Sequence, residues 1–308
     1  MSDSSEPESA GTEPWLGLPA RERRSAALLC VSFAALTLAG LSARAARDAV
    51  FLSTFPVSEL PAVFAWSALV MALVAFAVTR LGRRGNPEAQ FALGAAVLGS
   101  LLFGARLGLS LGAGETFVKA LYVLVEAGSA VAALQFWQLV EGASRETRTA
   151  ARLRELGRGV LITLLLVGSA WALLLLLAVQ PQDLLLFAAG MLWVSSVPAI
   201  LLSARARRGR PTPGGSPSAG VLAIIGAADL RLGAVVTAVA TFVAVLVDFQ
   251  FKDVIAASNA GDPLGIARDT ALLFGVAGLA GLVISQAAPL MRHRFGAMAT
   301  VVLGLALA

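Results

Sequence analysis

The sequence predicts an all-α, polytopic membrane protein, and three observations carry the prediction. Hydrophobic residues make up 57% of the 308 and charged residues only 14%, whereas soluble domains are about one quarter charged. Eight apolar runs reach membrane-spanning length, which is about 20 residues for a hydrocarbon core of about 30 Å. Arginine clusters recur after every second run, as topology signals do.

The runs follow in order. Residues 1–24 form a polar cytoplasmic N-terminus, with the acidic stretch Met1–Pro14 predicted to be disordered. Arg21-Glu22-Arg23-Arg24 before Ala26–Leu41 has the form of a secretory leader, with Ala43-Arg44-Ala45 as its cleavage site. Its length and the seven runs that follow favour a retained helix instead. That first span starts near Ser25 and reaches Phe55, provided the charged RAARD at Arg44–Asp48 is accommodated within it. The next are Leu60–Thr79, Phe91–Leu111 and Phe117–Val140, then Val160–Val179 and Leu184–Leu202, and finally Leu232–Phe251 and Ala271–Met291. A ninth begins near Phe295 and is still apolar at Ala308, so a truncated second half is expected. Ser144–Gly157 and Val221–Leu230 read as short helices on the cytoplasmic surface.

Basic residues precede span one and follow spans two, four, six and eight. The positive-inside rule then places the N-terminus in the cytoplasm, and a bacterial cytoplasmic (inner) membrane is the expected location. The Pro/Gly/Ser-rich segment Arg205–Gly220 (RARRGRPTPGGSPSAG) divides the chain. It separates a six-helix half (25–203) from an incomplete second half (231–308) of about two and a half helices, with 204–230 as the cytoplasmic linker. Two six-helix halves joined in this way resemble the major facilitator architecture, whose substrate lies between the halves.

Several functions are disfavoured at once. The net charge of +5 comes from short loop clusters, with no basic domain and no aromatic-interleaved patch for nucleic acid. Cys30 and His293 are the only residues of their kinds, so no cysteine or histidine metal set exists and no cofactor is expected. HExxH and P-loop motifs are absent, which argues against an enzyme. Gly40, Gly94 and Gly128 read as places where helices pack closely.

The informative residues are charges inside apolar runs: Arg44, Arg47, Asp48, Arg106, Glu126, Asp248 and Lys252. A charge at the centre of a span costs roughly 2.5–3.5 kcal/mol on insertion scales, so it normally faces a partner or a water-filled path. Helical rise puts Arg47, Asp48, Arg106, Glu126, Asp248 and Lys252 at broadly similar depth. Arg44 and Asp48 are spaced i,i+4, as are Asp248 and Lys252, so each pair can self-neutralise. Arg44, Lys119 and Lys252 have stems long enough to snorkel to the headgroups, whereas the short stem of Glu126 demands a partner, a cavity or a proton. With Lys119 included, five cations face three anions, an excess that favours an anionic solute.

Three stretches around these residues resemble the ATP/ADP translocase (nucleotide transporter) family, and more closely its major-facilitator-like relatives in free-living bacteria. They are RAARDAVFLSTFPVSELP from Arg44, YVLVEAGSAVAALQFW from Tyr122 and LRLGAVVTAVATFVAVLVDFQFKDVIA from Leu230. The resemblance matches Arg47-Asp48 to the family's basic residue and Asp, Glu126 to its fourth-helix acid ahead of Phe136-Trp137, and Asp248 and Lys252 to its seventh-helix pair. Two departures stand out: RETRTAARLRELGRG is a loose match to a Lys-Arg-rich motif, and Arg47 stands where the nucleotide carriers have Lys. The resemblance implies nucleotide exchange by alternating access, with these side chains in the path and membrane lipid as the surroundings. A non-transporting sensor or anchor built on the same scaffold is the alternative.

Overall fold

The charged RAARD segment does not break the first helix. In the computed structural model, which describes residues 20–82, 86–144, 180–206, 228–259, 261–273 and 275–276, α1 runs unbroken from Ala20 to Thr54. It is followed by α2 (Leu60–Gly82), α3 (Pro87–Ser110), α4 (Glu115–Ser144), α5 (Leu184–Ala206) and α6 (Ala228–Asn259). Single 3-10 turns at Val57–Glu59 and Pro181–Asp183 lead into α2 and α5. A further helical stretch covers 263–273. Among the described residues every regular element is helical.

Among the described residues five segments are long and apolar enough to cross a membrane: Arg24–Thr54, Val57–Val78, Pro87–Ser110, Glu115–Val140 and Pro181–Ser203. Their outward faces carry exposed large apolar side chains, including Trp66, Leu73 and Phe76 on α2, Leu93 on α3 and Ile200 on α5. Water would penalise so much contiguous apolar surface, whereas lipid covers it at no such cost. The protein is a helical membrane protein.

Local chemistry sets the element ends. Asn86 caps α3, its side-chain oxygen accepting from the Glu88 N–H at 3.1 Å, with Pro87 in the first turn. Gly112 turns the chain between α3 and α4 with φ of +78°, a conformation that a side chain would strain. Asp262 accepts from the Leu264 N–H at 3.0 Å and Pro263 follows it, so this helix starts eight residues before the apolar run expected from Ala271. Polarity within its first turns (Arg268, Asp269) hid the start. Ala228–Leu230 belongs to α6, which corrects the expectation that Val221–Leu230 is a separate surface helix at its C-terminal end.

α5 packs between α1 and α3, while α4 packs against α1, α2 and α3. The buried alanines Ala39, Ala43, Ala46 and Ala49 let α1 approach its neighbours closely, as small residues do in membrane bundles. Polar bonds tie the same elements together. The Ser32 hydroxyl donates to the Ser195 carbonyl at 2.9 Å, joining α1 to α5. The Trp193 indole donates to the Ala96 carbonyl at 3.3 Å, joining α5 to α3.

Two of the three glycines read as packing sites behave so: Gly94 lies against Gln135 and Gly128 against Leu98. Gly40 does not, since a Cβ there would meet nothing within 4 Å. It lines a cavity instead. Gly99 is a tight site the sequence did not mark. A Cβ there would sit 2.8 Å from Trp193 Nε1 and 3.1 Å from the Ala189 carbonyl oxygen, and backbone has little room to yield. Gly99→Val is expected to destabilise the bundle by about 1–3 kcal/mol through overpacking. A lowered thermal midpoint in detergent reports it, and an unchanged midpoint would show that α3 and α5 separate more freely than this contact implies.

The acidic N-terminus, the expected span at Val160–Val179, the linker from Arg207 to Gly220 and the apolar sequence beyond residue 276 lie outside the described residues, while Arg205 and Ala206 end α5. So does the surface helix expected at Ser144–Gly157, apart from Ser144 itself.

Candidate functional site

Helical geometry brings six of the seven singled-out charges into one cluster between α1, α4 and α6. Arg47 and Asp48 are consecutive on α1; they bond each other, and each also reaches a different neighbouring helix. Arg47 turns to α4. Its Nη1 donates to Glu126 Oε2, its Nε donates to Asp48 Oδ1 at 3.1 Å, and its guanidinium lies 4.1 Å from the centroid of the Tyr122 ring. Asp48 also meets α6, with Lys252 Nζ 3.3 Å from its Oδ1.

Lys252 has three donors, and three oxygens surround it. The Nζ lies 2.7 Å from Asp248 Oδ2 and 2.8 Å from the Tyr122 hydroxyl oxygen, besides the Asp48 contact. Phe64 covers it from α2, its ring centroid 5.2 Å from Nζ. Burial is nearly complete at the centre, where the side chains of Arg47, Asp48 and Lys252 are only 4%, 3% and 3% exposed. Each such ion loses several kcal/mol of hydration, roughly, which only close opposite charges and hydrogen bonds can offset. The cluster supplies both.

Arg44 stands one helical turn before Asp48 but does not pair with it. Its Nη2 is 3.8 Å from Glu126 Oε1, and its Nε is buried without a hydrogen-bond partner. Asp48 is turned instead toward Arg47 and Lys252, which corrects the expected i,i+4 pair on α1. The corresponding pair on α6, Asp248 with Lys252, does form.

Arg106 is engaged elsewhere. It binds Asp183 with Nη2 at 2.7 Å and Nε at 2.8 Å, fixing α3 to the 3-10 turn ahead of α5. Lys119 pairs with Glu59 at 3.0 Å and lies over the Phe55 ring, and both charged groups are well exposed. These two pairings remove the cationic excess expected from the sequence. The cluster holds Arg44, Arg47 and Lys252 against Asp48, Glu126 and Asp248, three charges of each sign. The missing counter-charges were Glu59 and Asp183, which sit in 3-10 turns outside the apolar runs and so escaped the count.

Tyr122 is the central residue that the charge search passed over. It is the only tyrosine in the chain, and it is fully buried where α1, α4 and α6 meet. A sequence signal existed: Tyr122 precedes Glu126 by four residues and shares its helix face. Its ring accepts the Arg47 cation while its hydroxyl accepts from Lys252, so one side chain joins both cations.

What this arrangement can do is exchange partners. Arg47 and Lys252 are strong anion donors held by carboxylates on three helices, and an incoming oxyanion can displace those carboxylates only if the helices shift. No protein-family model matches the chain, no curated protein matches it, and no solved structure matches it.

Proposed function

We propose that this protein is a secondary membrane carrier for a nucleotide or a related organic anion, working by alternating access. The reading places it in a bacterial cytoplasmic membrane with the N-terminus in the cytoplasm, in a major-facilitator-like bundle whose second half begins with α6. One observation carries it: Lys252 on α6 and Arg47 on α1 share Asp48, a buried carboxylate, and in this reading that contact lies at the join between the two halves. Ligand that takes the cations from Asp48 and Glu126 would loosen that join. Binding would then favour one conformation over another, as alternating access requires. The ATP/ADP translocase resemblance supports nucleotide as the solute.

Uptake of radiolabelled ATP and ADP into proteoliposomes preloaded with nucleotide tests the proposal. Saturable uptake that requires internal nucleotide is expected. Glu126→Gln keeps the shape but discharges the carboxylate, and it is expected to slow exchange by about tenfold or more, the cost of roughly one charge-assisted contact. Exchange at the parental rate in Glu126→Gln would remove this residue from the mechanism.

The matched charges favour a second reading. A cluster with three ions of each sign needs no ligand to be satisfied, and a membrane anchor or sensor module could use it as a permanent clamp. No uptake of any anion by well-folded protein would support the module.

A further inference from the structure

The cavity that Gly40 lines adjoins the ion cluster at Arg44 and is chemically unlike it. It measures about 200 Å³ and lies among α1, α3, α4 and α5. Phe33, Leu36, Leu98, Phe136 and Trp137 line it, and Arg44 is the one ionised residue on it among the described residues. Phe33 and Phe136 stand with ring centroids 5.0 Å apart, an aromatic corner beside the space. The lining therefore offers one cation, the hydroxyl residues Thr37 and Ser129, and otherwise ring or hydrocarbon surface.

Arg44 is also the least committed cation of the cluster. Glu126 is bonded directly by Arg47, and Arg44 reaches the same carboxylate only at 3.8 Å. The Arg44 Nε is buried and has no partner. A buried donor left unpaired costs free energy that a ligand acceptor would recover. An apolar cavity of about 150 Å³ holds benzene, so this one suits a single aromatic ring or a short alkyl chain.

We propose that the cavity is a binding site for a small amphiphilic anion, a phosphate or carboxylate on an aromatic or short-chain body. The oxyanion sits on Arg44 and the apolar body lies against Phe33, Phe136 and Trp137. The inference rests on the carrier reading for its role, because it names the solute class that such a carrier would select, but binding itself needs no transport. Selection comes from the walls: a fully hydrated inorganic anion gains Arg44 and nothing from the rings.

Phenyl phosphate is the probe, titrated calorimetrically into the full chain in zwitterionic nanodiscs, with inorganic phosphate and benzyl alcohol in parallel. Phenyl phosphate is expected to bind at least about tenfold more tightly than either, since each comparison compound lacks one of the two contacts. Arg44→Gln is expected to remove that advantage over benzyl alcohol. Gly40→Leu directs a side chain into space that is open now, and it is expected to abolish phenyl phosphate binding. Ala133→Phe, from the α4 wall, repeats the test should Gly40→Leu melt early. Equal affinity for inorganic phosphate, or binding indifferent to all three substitutions, would overturn the site. Displacement of the probe by phosphatidylglycerol would assign the space to lipid and overturn a soluble occupant. Binding without uptake sinks the carrier reading alone, and uptake without phenyl phosphate binding sinks this inference alone.

Discussion

Arg47→Ala is expected to lower the stability of the bundle by about 3–5 kcal/mol, the usual cost of removing one partner from a buried ion pair. The loss exceeds that of an ordinary truncation because Arg47 touches three partners at once: Asp48, Glu126 and the Tyr122 ring. Asp48 would keep Lys252, but Glu126 would be left to Arg44 at 3.8 Å. Denaturant titration in detergent measures the effect. Arg47→Lys should recover only part of it, since an ammonium cannot bond two carboxylates in a fork or lie flat on the Tyr122 ring. The double variant Arg47→Leu with Glu126→Leu should be more stable than Arg47→Ala, because no carboxylate is then stranded. A loss below about 1 kcal/mol in Arg47→Ala would place water around the cluster and end the buried-pair account.

Lys252→Met is expected to slow anion exchange by about 100-fold or more, in line with truncating a buried, hydrogen-bonded charge. Lys252 joins α6 to both α1 and α4, through Asp48 and the Tyr122 hydroxyl. Methionine fills similar space and keeps contact with Phe64, so packing is retained while the charge is lost. The comparison with Arg47→Ala is informative. Lys252→Met should affect exchange more than the melting midpoint, because Arg47 still holds α1 to α4. Exchange within about twofold of the parent, less than half a kcal/mol on the scale where tenfold is 1.4, would leave Lys252 a structural residue only.

The helices were legible because lipid imposes a simple rule: a span must be apolar along its whole length and satisfy its own backbone. That rule located five spanning helices within a few residues. It failed at the boundary of the stretch starting at residue 263, where a capping Asp262 and polar first turns lie outside the apolar signal. The reading of Gly40 as a packing site also failed, since glycine in a span is compatible both with close packing and with open space.

The charged residues show the division most clearly. By itself the sequence determined which ions lie within apolar runs, and it offered two i,i+4 pairs, of which Asp248 with Lys252 formed and Arg44 with Asp48 did not. Partnership across helices depends on how the helices are rotated and where they meet, and neither periodicity nor depth encodes that. Tertiary structure therefore decided that Asp48 serves Lys252 rather than Arg44, that Tyr122 sits between two cations, and that Arg106 and Lys119 find acids in the connecting turns. The physical reason is range: spacing along one helix is local geometry, whereas an ion pair forms with whichever opposite charge the packed neighbours bring within about 4 Å.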